Sequence, residues 1–149
     1  MIHASLATVY QSLVKTDTLD VKQSSRFSFV VLPWHLDLNL HLNNAYYFKF
    51  CNQARFVFLA KYKVFYVLLK ERLVPVITKT EIRYFRSLKL ADAFHIETSI
   101  SEIKPQNIIM QQIFYRGSQK IAELESTVKL IRKGGRVDHL KLFNKYFKG

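Results

Sequence analysis

Trp34-His35-Leu36-Asp37-Leu38-Asn39-Leu40-His41-Leu42-Asn43-Asn44-Ala45-Tyr46-Tyr47 places polar residues at every second position of an apolar segment, then runs into a pair of asparagines. Alternation of Asp37, Asn39 and His41 with leucines predicts an extended segment whose three polar side chains share one face. Asn43 or Asn44 suits a helix N-cap, because an asparagine side chain accepts from an otherwise orphaned helical N–H. From Ala45 to about Leu69 there is neither Gly nor Pro. Tyr47, Phe50, Cys51, Ala54, Val57, Phe58 and Leu68 recur at three-and-four spacing, while Lys49, Asn52, Arg55 and Lys63 fall elsewhere. A long helix this apolar has to be covered on more than one side.

Outward from this stretch the periods change. Upstream, Phe27 to Leu32 is aromatic and β-branched and is closed by Pro33, which predicts a strand with a stop. Further upstream, Ile2, Leu6, Val9 and Leu13 lie near helical spacing and predict a short amphipathic helix, with a connection over Lys15 to Ser25. Downstream, Val74 to Arg86 alternates with Val76, Thr78, Thr80, Ile82 and Tyr84 on one face, and Ala93 to Ile103 with Phe94, Ile96, Thr98 and Ile100 on one face. Asn107 to Arg116 and Lys120 to Lys133 flank Gly117-Ser118, a hairpin signal. Asp138 to Lys148 predicts a last helix with Leu140, Phe143 and Phe147 opposite Lys141, Lys145 and Lys148. Four successive strands with short connections form an antiparallel sheet. One apolar helix with one sheet to hide it is buried best if the sheet curls around it. The expected fold is α+β, an antiparallel sheet wrapped around a long central helix. Residues 25–133 form the domain, 1–24 an N-terminal helix and connection, and 134–149 a basic C-terminal helix. Such a sheet has edges that a second copy would pair, so a homodimer is expected.

The chain of 149 residues suits a single core. Cys51 is the only cysteine, which excludes an intrachain disulfide and fits a reducing compartment. The start of the chain lacks the basic and apolar regions of a secretory signal, and the longest uncharged apolar run, Val64 to Leu69, is too short to span a bilayer. A cytoplasmic protein without stable membrane insertion is the expectation. A net charge of +12 attracts anionic partners. No Gly-rich phosphate loop is present, and Lys and Arg are spread along the chain without a recognised nucleic-acid motif, which argues against a nucleic-acid partner.

Asp37-Leu-Asn39-Leu-His41-Leu-Asn43-Asn44-Ala-Tyr-Tyr47, followed by Ala54-Arg55, resembles the signature of hotdog-fold acyl thioesterases of the 4-hydroxybenzoyl-CoA thioesterase superfamily, including those acting on acyl carrier protein (ACP). The resemblance implies a hotdog fold and hydrolysis of an acyl-CoA or acyl-ACP thioester, with neither cofactor nor metal. It implies Asp37 as general base or nucleophile, with Asn39 and His41 orienting water or the thioester carbonyl. Oxyanion donors would be backbone N–H groups near Asn43 and Asn44, at the positive end of the helix dipole. Asn43, Asn44, Tyr47 and Trp34 are the substrate-binding candidates. Partners would be acyl-CoA or an acyl carrier protein, and assembly a homodimer or dimer of dimers. A basic rim drawn from Arg83, Arg86, Lys89, Arg132, Lys133 and Arg136 would suit either substrate's anionic carrier.

The chain departs from the family in three places. Leu40 stands where many relatives carry Gly or Gln. Asn52-Gln53 stands where many carry a helix-borne acid, and Glu81 is no secure match for an acid in the following strand. Asp37 is therefore the one well-placed carboxylate. Two other readings stand beside the hydrolase: a hotdog protein that binds an acyl chain or acyl carrier without cleaving it, and a lipid-handling protein anchored by the basic C-terminal helix.

Overall fold

The computed structural model describes residues 19–20 and 23–148. The helix expected over residues 2–14 lies outside them. In chain order the strands are β1 (Leu19–Asp20), β2 (Ser25–Val30), β3 (Val74–Tyr84), β4 (Ala93–Ile103), β5 (Ile108–Arg116), β6 (Gln119–Ile131) and β7 (Phe147–Lys148). The helices are α1 (Asn44–Lys61), α2 (Val64–Lys70) and α3 (His139–Tyr146), with a 3-10 turn at Pro33–His35. β2 to β6 form an antiparallel five-stranded sheet in the order β2-β4-β5-β6-β3, and β1 and β7 form a small parallel pair. Gly117 makes the β5–β6 turn at φ +60, a left-handed conformation that glycine adopts without a Cβ clash.

The helix expected to run from Ala45 to about Leu69 is broken. α1 ends at Lys61, Lys63 takes φ 55, and α2 starts at Val64. No Gly or Pro marks the break. It is held by tertiary contacts: the Tyr62 hydroxyl donates to the Ser24 carbonyl at 3.1 Å, and Tyr62 and Val64 are buried. Left-handed backbone costs a non-glycine residue roughly 1–2 kcal/mol, which the buried side chains offset.

A second difference lies in β3. The ladder to β6 slips between Ile77 and Lys79, so Thr78 is a bulge and the inward face changes parity there. Pro75 and Ile77 line the interior before the bulge, and Ile82 packs inside after it. The expected single face of Val76 through Tyr84 therefore does not exist. In α3, Asp138 caps the helix by accepting from the Lys141 N–H at 3.0 Å, but Leu142 and Phe143 are buried while Leu140 is largely exposed. Glu71 ties the end of α2 to this region, pairing with Arg132 at 2.9 Å and Lys145 at 3.2 Å and accepting from the Tyr146 hydroxyl.

α1 lays Tyr47, Phe50, Cys51, Ala54 and Phe58 against the inner face of the sheet. The core has two halves. One collects Tyr47, Phe50, Phe94, Ile96, Phe114, Leu124 and Leu88 near the start of α1. The other surrounds Phe58 with α2, α3 and residues Ile108, Met110 and Val128. Between them a polar belt crosses the sheet through the fully buried side chains of Thr98, Gln112 and Ser126. Gln112 Nε2 donates to the Cys51 carbonyl at 2.9 Å and to Thr98 Oγ1 at 3.1 Å, so the belt is bonded to the helix. Among the described residues the outer face of α1 is left open: Phe48 and Phe56 are exposed, as is the edge strand β3 along most of its length.

Candidate active site

The Asp37 segment is a tight loop, not an extended run. Leu36 bridges Leu42, the Asp37 N–H donates to the His41 carbonyl at 2.8 Å, and the Leu40 N–H donates to the Asp37 carbonyl at 3.1 Å. The Asp37 side chain drives this: its Oδ1 accepts the Asn39 N–H at 2.9 Å and the His41 N–H at 3.1 Å. Short polar side chains that bond nearby backbone compete with strand geometry, which is why the alternation misleads here. The expectation that Asp37, Asn39 and His41 share a face is therefore corrected. Leu40 sits at φ 59, a left-handed conformation that glycine adopts freely and leucine does not.

Two anchors seat the loop. On one side, the His35 ring is buried against Tyr46 and Phe50, and its Nδ1 accepts the Leu32 N–H at 2.9 Å. That bond places the proton of neutral His35 on Nε2. Burial, reinforced by Lys49, holds its pKa below the usual histidine range. The His35 carbonyl in turn accepts the Asn43 N–H at 2.8 Å. On the other side, His41 bridges Lys89 and the Leu42 N–H donates to the Leu88 carbonyl at 2.8 Å. The Lys89 loop is fixed by Asp92, whose Oδ2 accepts from the Lys89 N–H at 2.9 Å and from Arg116 at 2.8 Å. His35, Leu88 and Asp92 position the site without belonging to the motif. His35 is recognised by its packing on Tyr46 and Phe50, and Leu88 and Asp92 by their bonds to Leu42 and Arg116.

Asn43 is the N-cap of α1, its Oδ1 accepting the Ala45 N–H at 2.9 Å, while the Tyr46 N–H donates to the Asn43 carbonyl at 2.9 Å. The Asn43, Ala45 and Tyr46 amides are thus engaged. Among the described residues, the Asn44 N–H has no protein acceptor, which leaves it as the donor at the positive end of the helix. Tyr47 is buried, with its ring against Tyr84 and Phe114. Burial first, then Tyr84, pushes its pKa up to about 12; nearby Asp37 adds to the rise and the Leu88 backbone opposes it. Asp37 and the Tyr47 phenol thus share one corner, and the phenol keeps its proton. Asn39 and Trp34 are exposed, Trp34 by 67%. Cys51 is buried, and burial pushes its thiol up to about 12, far from a nucleophilic thiolate.

Chemically, Asp37 Oδ2 has no protein partner among the described residues, so one carboxylate oxygen remains to accept a proton from water. The Asn44 N–H supplies a donor for a carbonyl oxygen. Among the described residues no group of His, Cys, Asp and Glu could hold a metal ion.

Residues 31–141, from the end of β2 into α3, match the model of the thioesterase-like superfamily. The chain belongs to this superfamily. A probable thioesterase, YbaW from Escherichia coli, superposes with a TM-score of 0.75 at 21% identity, covering 83% of this chain and 98% of that one. A 1,4-dihydroxy-2-naphthoyl-CoA thioesterase from Synechocystis superposes with a TM-score of 0.66 at 11% identity, covering 78% and 88%. These establish the hotdog fold for the sheet and central helix. Protein THEM6 of Danio rerio is 32% identical over 84 residues, which are 56% of this chain and 42% of that protein. The thioesterase-like chain thus spans less than half the length of this curated relative.

The six basic residues expected to form one rim do not meet in the chain. Arg83 pairs across β6 with Glu123, and Lys89 bridges His41, so Arg83, Arg86 and Lys89 lie at the Asp37 end. Arg132 lies nine residues further along than Glu123, roughly 30 Å away at about 3.3 Å per residue. Lys133 and Arg136 follow it beside α3. These six cations fall at two ends, which residue order alone does not show.

Proposed function

We propose that the protein is an acyl thioesterase in which Asp37 activates water as general base, or attacks directly, on the thioester of an acyl-CoA or acyl-ACP. The observation that carries this is the Asp37 corner, where a carboxylate with one unengaged oxygen sits in a rigid loop just before a helix whose Asn44 N–H is unengaged. Water attacks the thioester carbon, Asp37 takes the proton, and the carbonyl oxygen gains charge beside the Asn44 N–H. The thiol then leaves with a proton. The Tyr47 phenol, which shares the Asp37 corner, and His41 are assigned to orienting the carbonyl or water. Asn39 and Trp34, both exposed, are assigned to the mouth.

Coenzyme A is favoured over the carrier protein because solved structures of this fold include enzymes named for CoA thioesters. Arg83, Arg86 and Lys89 give the Asp37 end the charge that its phosphates would meet. The exposed β3 edge and the uncovered Phe48 and Phe56 support a homodimer formed across that edge. No helix among the described residues is long and apolar enough to cross a membrane. Thiol release over a series of acyl-CoA and acyl-ACP substrates tests the activity, with hydrolysis above background expected. Saturable acyl-CoA binding with no turnover would move the assignment to the non-catalytic binding module, which the lack of a helix-borne acid favours.

A further inference from the structure

Arg55 is absorbed by none of this. It follows the belt-bonded Cys51 by one turn of α1, and its guanidinium reaches the polar belt: Nη1 donates to Asn52 Oδ1 at 2.9 Å, and Nη2 to Gln112 Oε1 at 3.0 Å and Ser126 Oγ at 3.3 Å. All three partners are neutral. Among the described residues no carboxylate pairs with Arg55, and its Nε–H is buried with no acceptor. Burial works against the charged form and lowers its pKa, yet guanidinium stays ionised in proteins. Arg55 is half-buried, and charges drawn partly out of water are ordinarily paired. Here the countercharge is missing.

The same side chain is the only charged lining of a cavity of about 180 Å³, whose other walls are apolar and include Phe58, Leu68, Ile108, Met110, Val128 and Phe143. A fixed cation at the rim of an apolar chamber suits an amphipathic anion. The chamber is slightly larger than an apolar cavity of roughly 150 Å³ that accommodates benzene, which admits a ring or a short-to-medium alkyl tail. A phosphate does not fit the chemistry. Its dianion demands several donors, and apolar walls supply none beyond Arg55. A carboxylate needs fewer and takes a charge-assisted bond from the guanidinium.

We propose that the Arg55 cavity binds a medium-chain monocarboxylate, its head on the guanidinium and its tail among Phe58, Met110 and Phe143. The site is separate from the Asp37 corner, since Arg55 lies eleven residues past Asn44, about 16 Å along a helix rising about 1.5 Å per residue. It does not depend on the proposed hydrolysis.

Calorimetric titration of the full chain with octanoate is the test, with octanamide as the uncharged twin. Saturable octanoate binding is expected, weakened at least tenfold for octanamide and in Arg55→Gln, and abolished in Val128→Trp, which fills the chamber. It persists in Asp37→Asn, so a failed thioesterase assay leaves this site standing. Absence of octanoate binding, equal binding of octanoate and octanamide, or binding that survives Val128→Trp overturns it. Circular dichroism checks each variant's fold, and the two-ligand comparison on the unaltered chain decides the matter where a variant does not fold.

Discussion

The two halves of the core are built from similar residues and packed differently. Around the start of α1, aromatic rings interlock: Phe94 stacks on Phe114 at 5.9 Å and on Phe29 at 5.4 Å, and Phe50 meets Phe94 edge-on at 5.3 Å. Around Phe58 the chain breaks its helix, holds Lys63 at φ 55 and Arg72 at φ 53, and leaves the Arg55 chamber. The first half is a rigid platform under the Asp37 loop. The second carries space, the property of a binding chamber more than of a scaffold.

Truncating matched phenylalanines should show the difference most strongly. Phe114→Ala is expected to cost about 3–5 kcal/mol. Phe143→Ala should cost clearly less, because one side of that ring already lacks packing partners. Denaturant melts of the two variants give the comparison, and equal losses would mean that the halves are equally packed. Enlarging side chains should reverse the sign. Ala122→Val, in the fully buried first half, should destabilise by about 1–3 kcal/mol, whereas Val128→Ile, facing the chamber, should be neutral or stabilise by up to about 1 kcal/mol.

The strained turns belong to both halves and allow a finer test. Leu40→Gly and Lys63→Gly should each gain stability of up to about 1 kcal/mol through relief of left-handed strain, less the entropy that glycine adds to the unfolded chain. A smaller gain at Leu40 than at Lys63 is expected, since the Asp37 hydrogen bonds already favour that turn.

The smallest effect is in pH. The pKa of His35 is lowered on folding, so below the usual histidine value of about 6.5 the unfolded chain binds the extra proton and the folded chain resists it. Stability tied to neutral His35 is full above that value and falls as pH drops through it toward the folded pKa. Thermal melts of the unaltered chain and His35→Asn should diverge over that acid range and run parallel above it.

Most of the fold was legible because strand periods and the apolar helix report burial directly: β4, β5 and β6 lie within a residue or two of their expected bounds. Asn43 as the cap was legible from its position before the apolar run. The break at Lys63, the Thr78 bulge and the exposure of Leu40 and Leu140 were not, since each is settled by tertiary contacts that no local pattern encodes. In the site, the motif located Asp37, Asn43 and Tyr47 but gave the wrong backbone for Asp37, because alternating polar residues read alike in a strand and in a loop that one of them caps. The Arg55 chamber depends on partners far away in sequence, among them Ile108, Met110 and Val128.

Asp37→Asn puts the central claim to its most direct test, because an asparagine Oδ1 still accepts the Asn39 and His41 amides while the base is removed. An unchanged melting temperature is expected, with a fall in kcat/KM for acyl-CoA hydrolysis of about 10²–10⁴-fold. Turnover equal to that of the unaltered protein, with the loop intact, would contradict the claim.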